Sequence, residues 1–485
     1  MISAALAVLA GLLLPLSLAP FDFWWSALVS IVLLLAVTSG ASFKQALIRW
    51  YLFGIGQYLL GASWVFVSIN THGGASVLLA SMLTGAFIAA ISLVVLIQGY
   101  VYQRFFNHRS TWVIAFAALW FVKEWSTTWL LVAGFPWALL GYGQIDTALA
   151  GFAPVIGVLG VGFVVALMGS CFFAGVIHSS NRRWAWWITG VGIFLFGGVL
   201  STLDHTHPAA EPLEVSLVQG NVAQQTKWRQ EMVNPIIQNY TNLSAEEWGR
   251  DLIVWPEAAI TVFEESAAGL LDFWDIQGKE RGTALLLGIP SREGRTYYNS
   301  AVMVGSGRGK YIKRHLVPFG EYVPMEDYLR GVIEFFDLPM SHNKPGPEEQ
   351  QLLKLDDLPL ALSICYEIAF PGLVRQDANE SALLITISND TWFGESLGPH
   401  QHMQMAQMRA LESGRYLLRA TNNGITAIVD EKGRMTGQLP QFESGVLRGL
   451  AVPMGGITPY SRWGDWPLLV ALFVTLAYQG FRRAL

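Results

Sequence analysis

Long apolar stretches dominate the first two hundred residues, at roughly 2–19, 23–39, 50–69, 75–100, 111–133, 149–178 and 184–203. An eighth lies at roughly 466–481. Each is long enough to cross a hydrocarbon core of ~30 Å as a helix, so the pattern predicts eight transmembrane spans. Between the seventh and the eighth the pattern changes, and about 204–464 reads as one polar-surfaced globular domain. The expected division is therefore a seven-span domain over 1–203, a globular domain over 204–464 and an eighth helix over 465–485. In the globular part, apolar runs of strand length alternate with amphipathic helical stretches. The predicted strands are Val215–Val222, Leu252–Trp255, Ala284–Ile289, Ser300–Val304, Leu360–Ile364, Leu383–Ser388 and Ile425–Val429, and the predicted helices include Glu231–Trp248, Ala267–Lys279 and Gln401–Tyr416. Runs such as Ala382-Leu-Leu-Ile-Thr-Ile are apolar without alternation, which marks strands buried on both faces. An α/β sandwich is the expected class.

Composition supports the lipid assignment: of 485 residues 52% are hydrophobic and only 14% charged, and the mean hydropathy is +0.39. A net charge of −5 with no dense basic run argues against nucleic acid as a partner. Basic residues in the short loops orient the chain. Lys44 and Arg49 follow the second span, Arg104 and Arg109 the fourth, Arg182 and Arg183 the sixth, and Arg482 and Arg483 the eighth. That side is expected to be cytoplasmic, with the loops near Thr71 and Gly141 and the whole globular domain facing out. Ile2 to Pro20 lacks the charged n-region of a signal peptide, and a second span follows at once, so the first span is expected to stay uncleaved.

The chain has two cysteines. Cys171 lies in an apolar run and Cys365 in the polar domain, so no disulfide is expected. Cys365, in Pro359-Leu-Ala-Leu-Ser-Ile-Cys-Tyr-Glu367, sits where a buried strand should break into a turn. A thiol attacks as thiolate and needs a base or cation beside it. Glu257, after Trp255-Pro256, and Lys313, in Tyr311-Ile-Lys-Arg-His315, are the candidates. Glu257 would shuttle the proton. Lys313, with the backbone N–H of Tyr366, would stabilise an oxyanion. Taken singly, each has a bland explanation: a core cysteine, a strand-end cap, a solvated lysine. Spacing alone does not bring them together.

These segments resemble the nitrilase superfamily, in which a Glu, a Lys and a Cys meet in this chain order at strand ends of an αββα sandwich. Eight spans with that domain inserted before the last, together with Lys313-Arg-His-Leu-Val-Pro-Phe-Gly-Glu321, Ser363-Ile-Cys-Tyr-Glu367 and Ser388-Asn-Asp-Thr-Trp-Phe-Gly394, resemble its membrane branch, the bacterial apolipoprotein N-acyltransferases. The resemblance implies an α-helical transmembrane bundle of eight spans plus an extracytoplasmic α/β nitrilase-like sandwich. It makes Glu257 the general base, Lys313 the oxyanion lysine and Cys365 the nucleophile. Glu321 would be a supporting carboxylate near the lysine, while Tyr366 and Glu367 would shape the site beside the thiol. Trp228, in Gln219-Gly-Asn-Val-Ala-Gln-Gln-Thr-Lys-Trp228, would sit on a substrate-facing arm, and Trp392 in a further matching motif. The implied reaction transfers the sn-1 acyl chain of a phospholipid, through a Cys365 thioester, to the α-amino group of the diacylglyceryl-cysteine of an apolipoprotein. The implied setting is the bacterial inner membrane, multi-pass, with the catalytic domain periplasmic. No metal or organic cofactor and no nucleic acid are implied, and a monomer is expected.

Other signals are weaker. Phe135-Pro-Trp137 is either a lipid contact or an interfacial aromatic anchor, and Lys123-Glu124 within the fifth stretch is costly in lipid unless paired or at the interface. His400 and His402 do not share a helix face, and no third metal ligand is specified. Gly305-Ser-Gly-Arg-Gly309 reads as a hairpin loop, Asp327–Lys344 is less diagnostic, and Trp228 and the Pro- and Gly-bracketed stretch near Lys344 are candidate lids. Two other functions compete. A tethered amidase has no need of eight spans, and a transporter is disfavoured by the few intramembrane charges and the absence of an evident repeat.

Overall fold

The computed structural model describes residues 2–107, 111–130, 134–178, 182–324 and 342–481. Arg109, Arg482, Arg483, the last three residues of the 111–133 stretch and most of the Asp327–Lys344 segment lie outside them. The chain forms two compact units, one of residues 1–66, 77–204 and 462–485, the other of residues 67–76 and 205–461.

The first unit is helical. Its long helices are Ile2–Leu13, Trp25–Thr38, Phe43–Gly61, Val77–Phe105, Trp112–Thr127, Ala153–Ile177, Arg182–Leu200 and Trp466–Phe481. By length and composition, three helices among the described residues can cross a membrane, or four when Phe43–Gly61 and the segment Trp64–His72, bent by 54° from it, are counted as one span. The helices at Ile2–Ser17, Trp25–Thr38 and Trp466–Gln479 are apolar but shorter. The first stops early because Pro15 begins a separate 3-10 turn. Gly11 and Gly56 bring two helices into backbone contact: a Cβ on Gly11 would lie 2.1 Å from the carbonyl oxygen of Phe53. The costly pair of the sequence is internal, with Lys123 Nζ 3.5 Å from Glu124 and both side chains buried. Glu124 Oε1 also accepts from Trp120 Nε1 at 2.8 Å and from the Leu140 N–H at 2.9 Å, so protein donors meet one of its two carboxylate oxygens. Trp137 is buried and packs on Trp64 with ring centroids 4.7 Å apart.

The second unit is built on strands β1 (Thr206–Pro208), β2 (Leu213–Gln219), β3 (Leu252–Val254), β4 (Ala284–Glu293), β5 (Thr296–Gly305), β6 (Gly307–Ile312), β7 (Leu353–Leu355), β8 (Leu358–Ile364), β9 (Leu383–Ser388), β10 (Leu417–Thr421), β11 (Ala427–Val429), β12 (Met435–Gln438), β13 (Gly445–Ala451) and β14 (Met454–Gly456). Twelve of them pair in the order β12-β11-β10-β9-β8-β7-β6-β5-β4-β3-β2-β13, and β1 pairs with β14. The ribbon folds over at the β6–β7 pairing. Leu252, Val254, Leu286, Leu362, Ile364, Ile385 and Ile387, drawn from both halves, share one core between the two layers. The alternate residues point outward. Ile253, Leu285 and Leu287 pack with Ile236, Tyr240 and Trp274 of the helices Val233–Leu243 and Ala268–Arg281. On the far side Ala361, Leu384 and Val429 pack with Val374, Met403 and Ala406 of the helices Pro371–Ala378 and Gly398–Ser413. Period-2 strands covered by helices on both outer faces give four layers, αββα.

Strand Leu383–Ser388 is as predicted. The helix expected over Glu231–Trp248 is α-helical only over Val233–Leu243. Beyond it the chain turns so that Ser244 Oγ accepts from Trp255 Nε1 at 2.8 Å and Glu247 meets Arg448 at 2.6 Å, bonds that a continued helix would not place.

Candidate functional site

Three strand ends supply the three candidates. Glu257 follows β3, Lys313 follows β6 and Cys365 follows β8. Carboxyl ends of parallel strands are where side chains leave a sheet together, and β3 and β8 each run parallel to a neighbour. Glu257 is buried, and donors fix both of its carboxylate oxygens. Asn299 Nδ2 donates to Oε1 at 2.7 Å, and the Asn389 N–H donates to Oε2 at 2.8 Å. Lys313 Nζ lies 3.4 Å from Oε1 and 2.8 Å from Glu321 Oε2, with 1% of its side chain exposed. Burial alone would lower the Lys313 ammonium, but the Glu321 and Glu257 carboxylates outweigh it and hold its pKa above the ordinary lysine range. A cation so paired is permanent at neutral pH.

Asn299, which the sequence did not flag, ties the carboxylates together. Its amide nitrogen has two hydrogens, one for Glu257 and one for Glu321 Oε1 at 2.8 Å. Glu321 also accepts from the Val317 N–H at 2.8 Å. Space beside the Glu257 turn is set by Gly288 on β4, where a Cβ would come within 2.5 Å of the Ala258 nitrogen and the Pro256 carbonyl oxygen.

Cys365 has a φ of 54°, the left-handed region that costs a non-glycine residue ~1–2 kcal/mol. Both sides of the residue are held. On one side the buried Glu367 carboxylate accepts from the Ile364 N–H at 2.7 Å. The same carboxylate accepts from the Arg314 N–H at 2.7 Å, the His315 N–H at 3.0 Å and Tyr311 Oη at 3.0 Å, so it joins the cysteine turn to the lysine segment. On the other side His402 Nε2 lies 3.1 Å from the Cys365 carbonyl oxygen. A carbonyl only accepts, so Nε2 carries a proton, while Nδ1 lies 3.0 Å from both Asp390 Oδ1 and Arg419 Nη2. Burial and then Arg419 keep His402 below the ordinary histidine range. Burial alone would raise Asp390, but Arg419, 2.7 Å away, and His402 hold it well below the usual carboxylate range. The Asp390–Arg419–His402 group therefore serves as a charge-balanced brace behind the cysteine.

The thiol itself is pushed up, first by burial and then by Glu257; Lys313 and a hydrogen bond with Ser388 only partly oppose this. The ammonium beside it, already shared by two carboxylates, does not generate a resting thiolate. Tyr366 is buried, and its ring meets Phe370 edge-on at 5.0 Å and His315 at 5.9 Å. Trp392 lies in the short helix Asp390–Phe393; its carbonyl accepts from Ser68 Oγ at 2.8 Å, and its ring meets His72 at 5.8 Å. Trp228 ends the helix Gln224–Lys227, half-buried. Neither tryptophan has a described contact with the three candidates. Asn389 stands in the Ser388–Gly394 segment already noted and His402 was weighed only as a metal ligand, whereas nothing adjacent in sequence marks Asn299.

Two family models match the chain: Carbon-nitrogen hydrolase over residues 214–454 and Apolipoprotein N-acyltransferase N-terminal domain over residues 10–171. Among named relatives, the apolipoprotein N-acyltransferase of Pseudomonas syringae pv. tomato is 45% identical, covering 98% of this chain and 95% of that protein. That of Pseudomonas aeruginosa PAO1 is 43% identical, covering 99% and 96%, and that of Methylococcus capsulatus is 40% identical, covering 99% and 96%. Among solved structures, the Caenorhabditis elegans NitFhit protein is 16% identical at a TM-score of 0.41, covering 50% of this chain and 61% of that one. XC1258 of Xanthomonas campestris, a CN-hydrolase superfamily protein, is 17% identical at a TM-score of 0.39, covering 54% and 97%.

Proposed function

This chain belongs to the family of apolipoprotein N-acyltransferases, and we propose that Cys365, Glu257 and Lys313 carry out its two-step acyl transfer. The reaction moves an acyl chain from a phospholipid to the α-amino group of an apolipoprotein's diacylglyceryl-cysteine, the last step of lipoprotein maturation. In the first step the Cys365 sulfur attacks the sn-1 ester carbonyl. Glu257 takes the thiol proton during the attack, because burial keeps the thiol protonated at rest. The Lys313 ammonium and the Tyr366 N–H receive the developing oxyanion. The ester C–O bond breaks as C–S forms, and Glu257 gives its proton to the departing lysophospholipid oxygen. In the second step the acceptor amine attacks the thioester. C–N forms, C–S breaks, and Glu257 carries the amine proton to the sulfur.

Glu321 and Asn299 hold the lysine and the base, Glu367 and Tyr366 shape the nucleophile's turn, and Trp228 and Trp392 meet substrate. In this reading eight crossings, over 1–203 and 465–485, carry the 204–464 domain on the periplasmic side of the inner membrane, so that neither lipid leaves the bilayer to react. The protein acts as a monomer without nucleic acid. The observation supporting the assignment is the meeting of three strand ends, with Lys313 3.4 Å from Glu257 and the Cys365 thiol feeling both charges.

Intact-protein mass spectrometry after incubation with phospholipid in detergent tests it. An acyl-sized, hydroxylamine-labile mass on the wild type but not on Cys365→Ala is expected. Its appearance on Cys365→Ala, or on neither protein, would overturn the assignment.

A further inference from the structure

Lys227 is unused by the chemistry above, yet it is fully buried, with 0% of the residue exposed. An ammonium is rarely found so deep without a charged partner in contact. Here Nζ donates to the backbone carbonyl oxygen of Glu257 at 3.2 Å. Burial lowers its pKa to about 8, and the Glu257 carboxylate limits the fall. The helix that bears Lys227, Gln224–Lys227, is fastened at its other end as well: Asn389 Nδ2 donates to Gln224 Oε1 at 2.8 Å. Asn389 is the residue whose N–H holds the Glu257 carboxylate. Both fastenings of this arm thus end on groups that fix Glu257, one on its main chain and one on its carboxylate. The Glu257 turn needs such support, since Ala258 beside it has a φ of 47°. The next residue on the arm is Trp228, half-buried, with its indole N–H buried.

We propose that Lys227 is a positioning residue of the acyl transfer, clamping the Glu257 turn through its carbonyl and coupling the seating of the Trp228 arm to the placement of the base. This rests on Glu257 being the base. The clamp acts on the orientation of the carboxylate toward sulfur and not on the affinity for lipid. Its loss therefore lowers the rate of the acylated step with little change in KM.

The experiment measures thioester formation from phospholipid in the full-length detergent-solubilised enzyme, comparing wild type, Lys227→Met, Lys227→Gln and Glu257→Gln. Lys227→Met keeps the apolar stem and removes the donor; with the apolipoprotein acceptor added for turnover, a fall in kcat of about ten- to a hundredfold is expected, with KM for phospholipid within about twofold. Lys227→Gln retains a shorter donor and is expected to lie between Met and wild type, and it decides the matter where Met fails to fold. A kcat equal to wild type in a folded variant, or a loss matching only the unfolded fraction, would overturn the clamp. Glu257→Gln separates the two readings. Full activity in that variant removes the base itself, whereas its inactivity beside an unaffected Lys227→Gln removes only the clamp.

Discussion

At the scale of the residue, the cysteine's backbone and its thiol are both held in costly states. A left-handed φ of 54° persists only where neighbours over-determine it, and Glu367 and His402 do so from either side. The thiol is raised by burial and then by the Glu257 carboxylate, so the protein stores a thiol and not a thiolate. Alkylation of Cys365 by a small haloacetamide should therefore keep accelerating with pH beyond about 8.5, the value of an unperturbed thiol. Glu257→Gln removes a charge that opposes the thiolate, so its alkylation profile should move to lower pH even as acyl transfer stops. A wild-type profile that levels at or below about 8.5 would contradict this. The raised thiol also makes a stability statement. Its contribution is fully present below the unfolded value of about 8.5 and is lost as pH climbs through the higher folded value, so alkaline pH weakens the fold here.

At the scale of the element, one carboxylate joins two strand ends. Glu367 accepts from Ile364 at the end of β8 and from Arg314 and His315 just past β6. In Glu367→Gln one side of the carboxylate becomes an NH2 facing N–H donors. The expected loss is ~2–3 kcal/mol of stability, seen as a drop of several degrees in thermal midpoint, with thioester formation at least about tenfold slower. An unchanged midpoint would mean the strand ends are not joined this way. Such joints explain what could be read in advance. Strand β9, Leu383–Ser388, is apolar throughout and announces itself. Strand β10 carries Arg419 in its interior, tolerated only because Asp390 lies 2.7 Å away, and β7 has three residues; neither has a local signal. Glu257, Lys313 and Cys365 were picked out as candidates through the motifs around each, and the strand ends bring them together. Asn299 and Lys227 act through partners fixed by strand register and by a packed arm, 42 and 30 positions away along the chain, and nothing adjacent in sequence marks them.

At the scale of the whole molecule, the helical unit is apolar outward and paired inward. Leu78, Ile188 and Val474 are 72%, 69% and 63% exposed, while its Lys123–Glu124 pair is buried, the arrangement expected of helices in lipid. The basic residues predict which side of the membrane each loop faces. Lys44 and Arg49 after the second span, Arg104 after the fourth and Arg182 and Arg183 after the sixth should stay cytoplasmic. If the seven apolar stretches before residue 204 all cross, the 204–464 domain is expected on the opposite side. The two native cysteines are removable, so two single-cysteine proteins test this in a Cys171→Ala, Cys365→Ala background. Asp357 and Lys44 are exposed and take no part in the site's described hydrogen bonds. In spheroplasts a membrane-impermeant maleimide should label Asp357→Cys at once and Lys44→Cys only after the membrane is permeabilised. The reverse pattern would invert the topology and put the thiol on the side where no outward lipoprotein amine arrives. Equal labelling of both before permeabilisation would break the odd count of crossings between them, and with it the reading of eight spans.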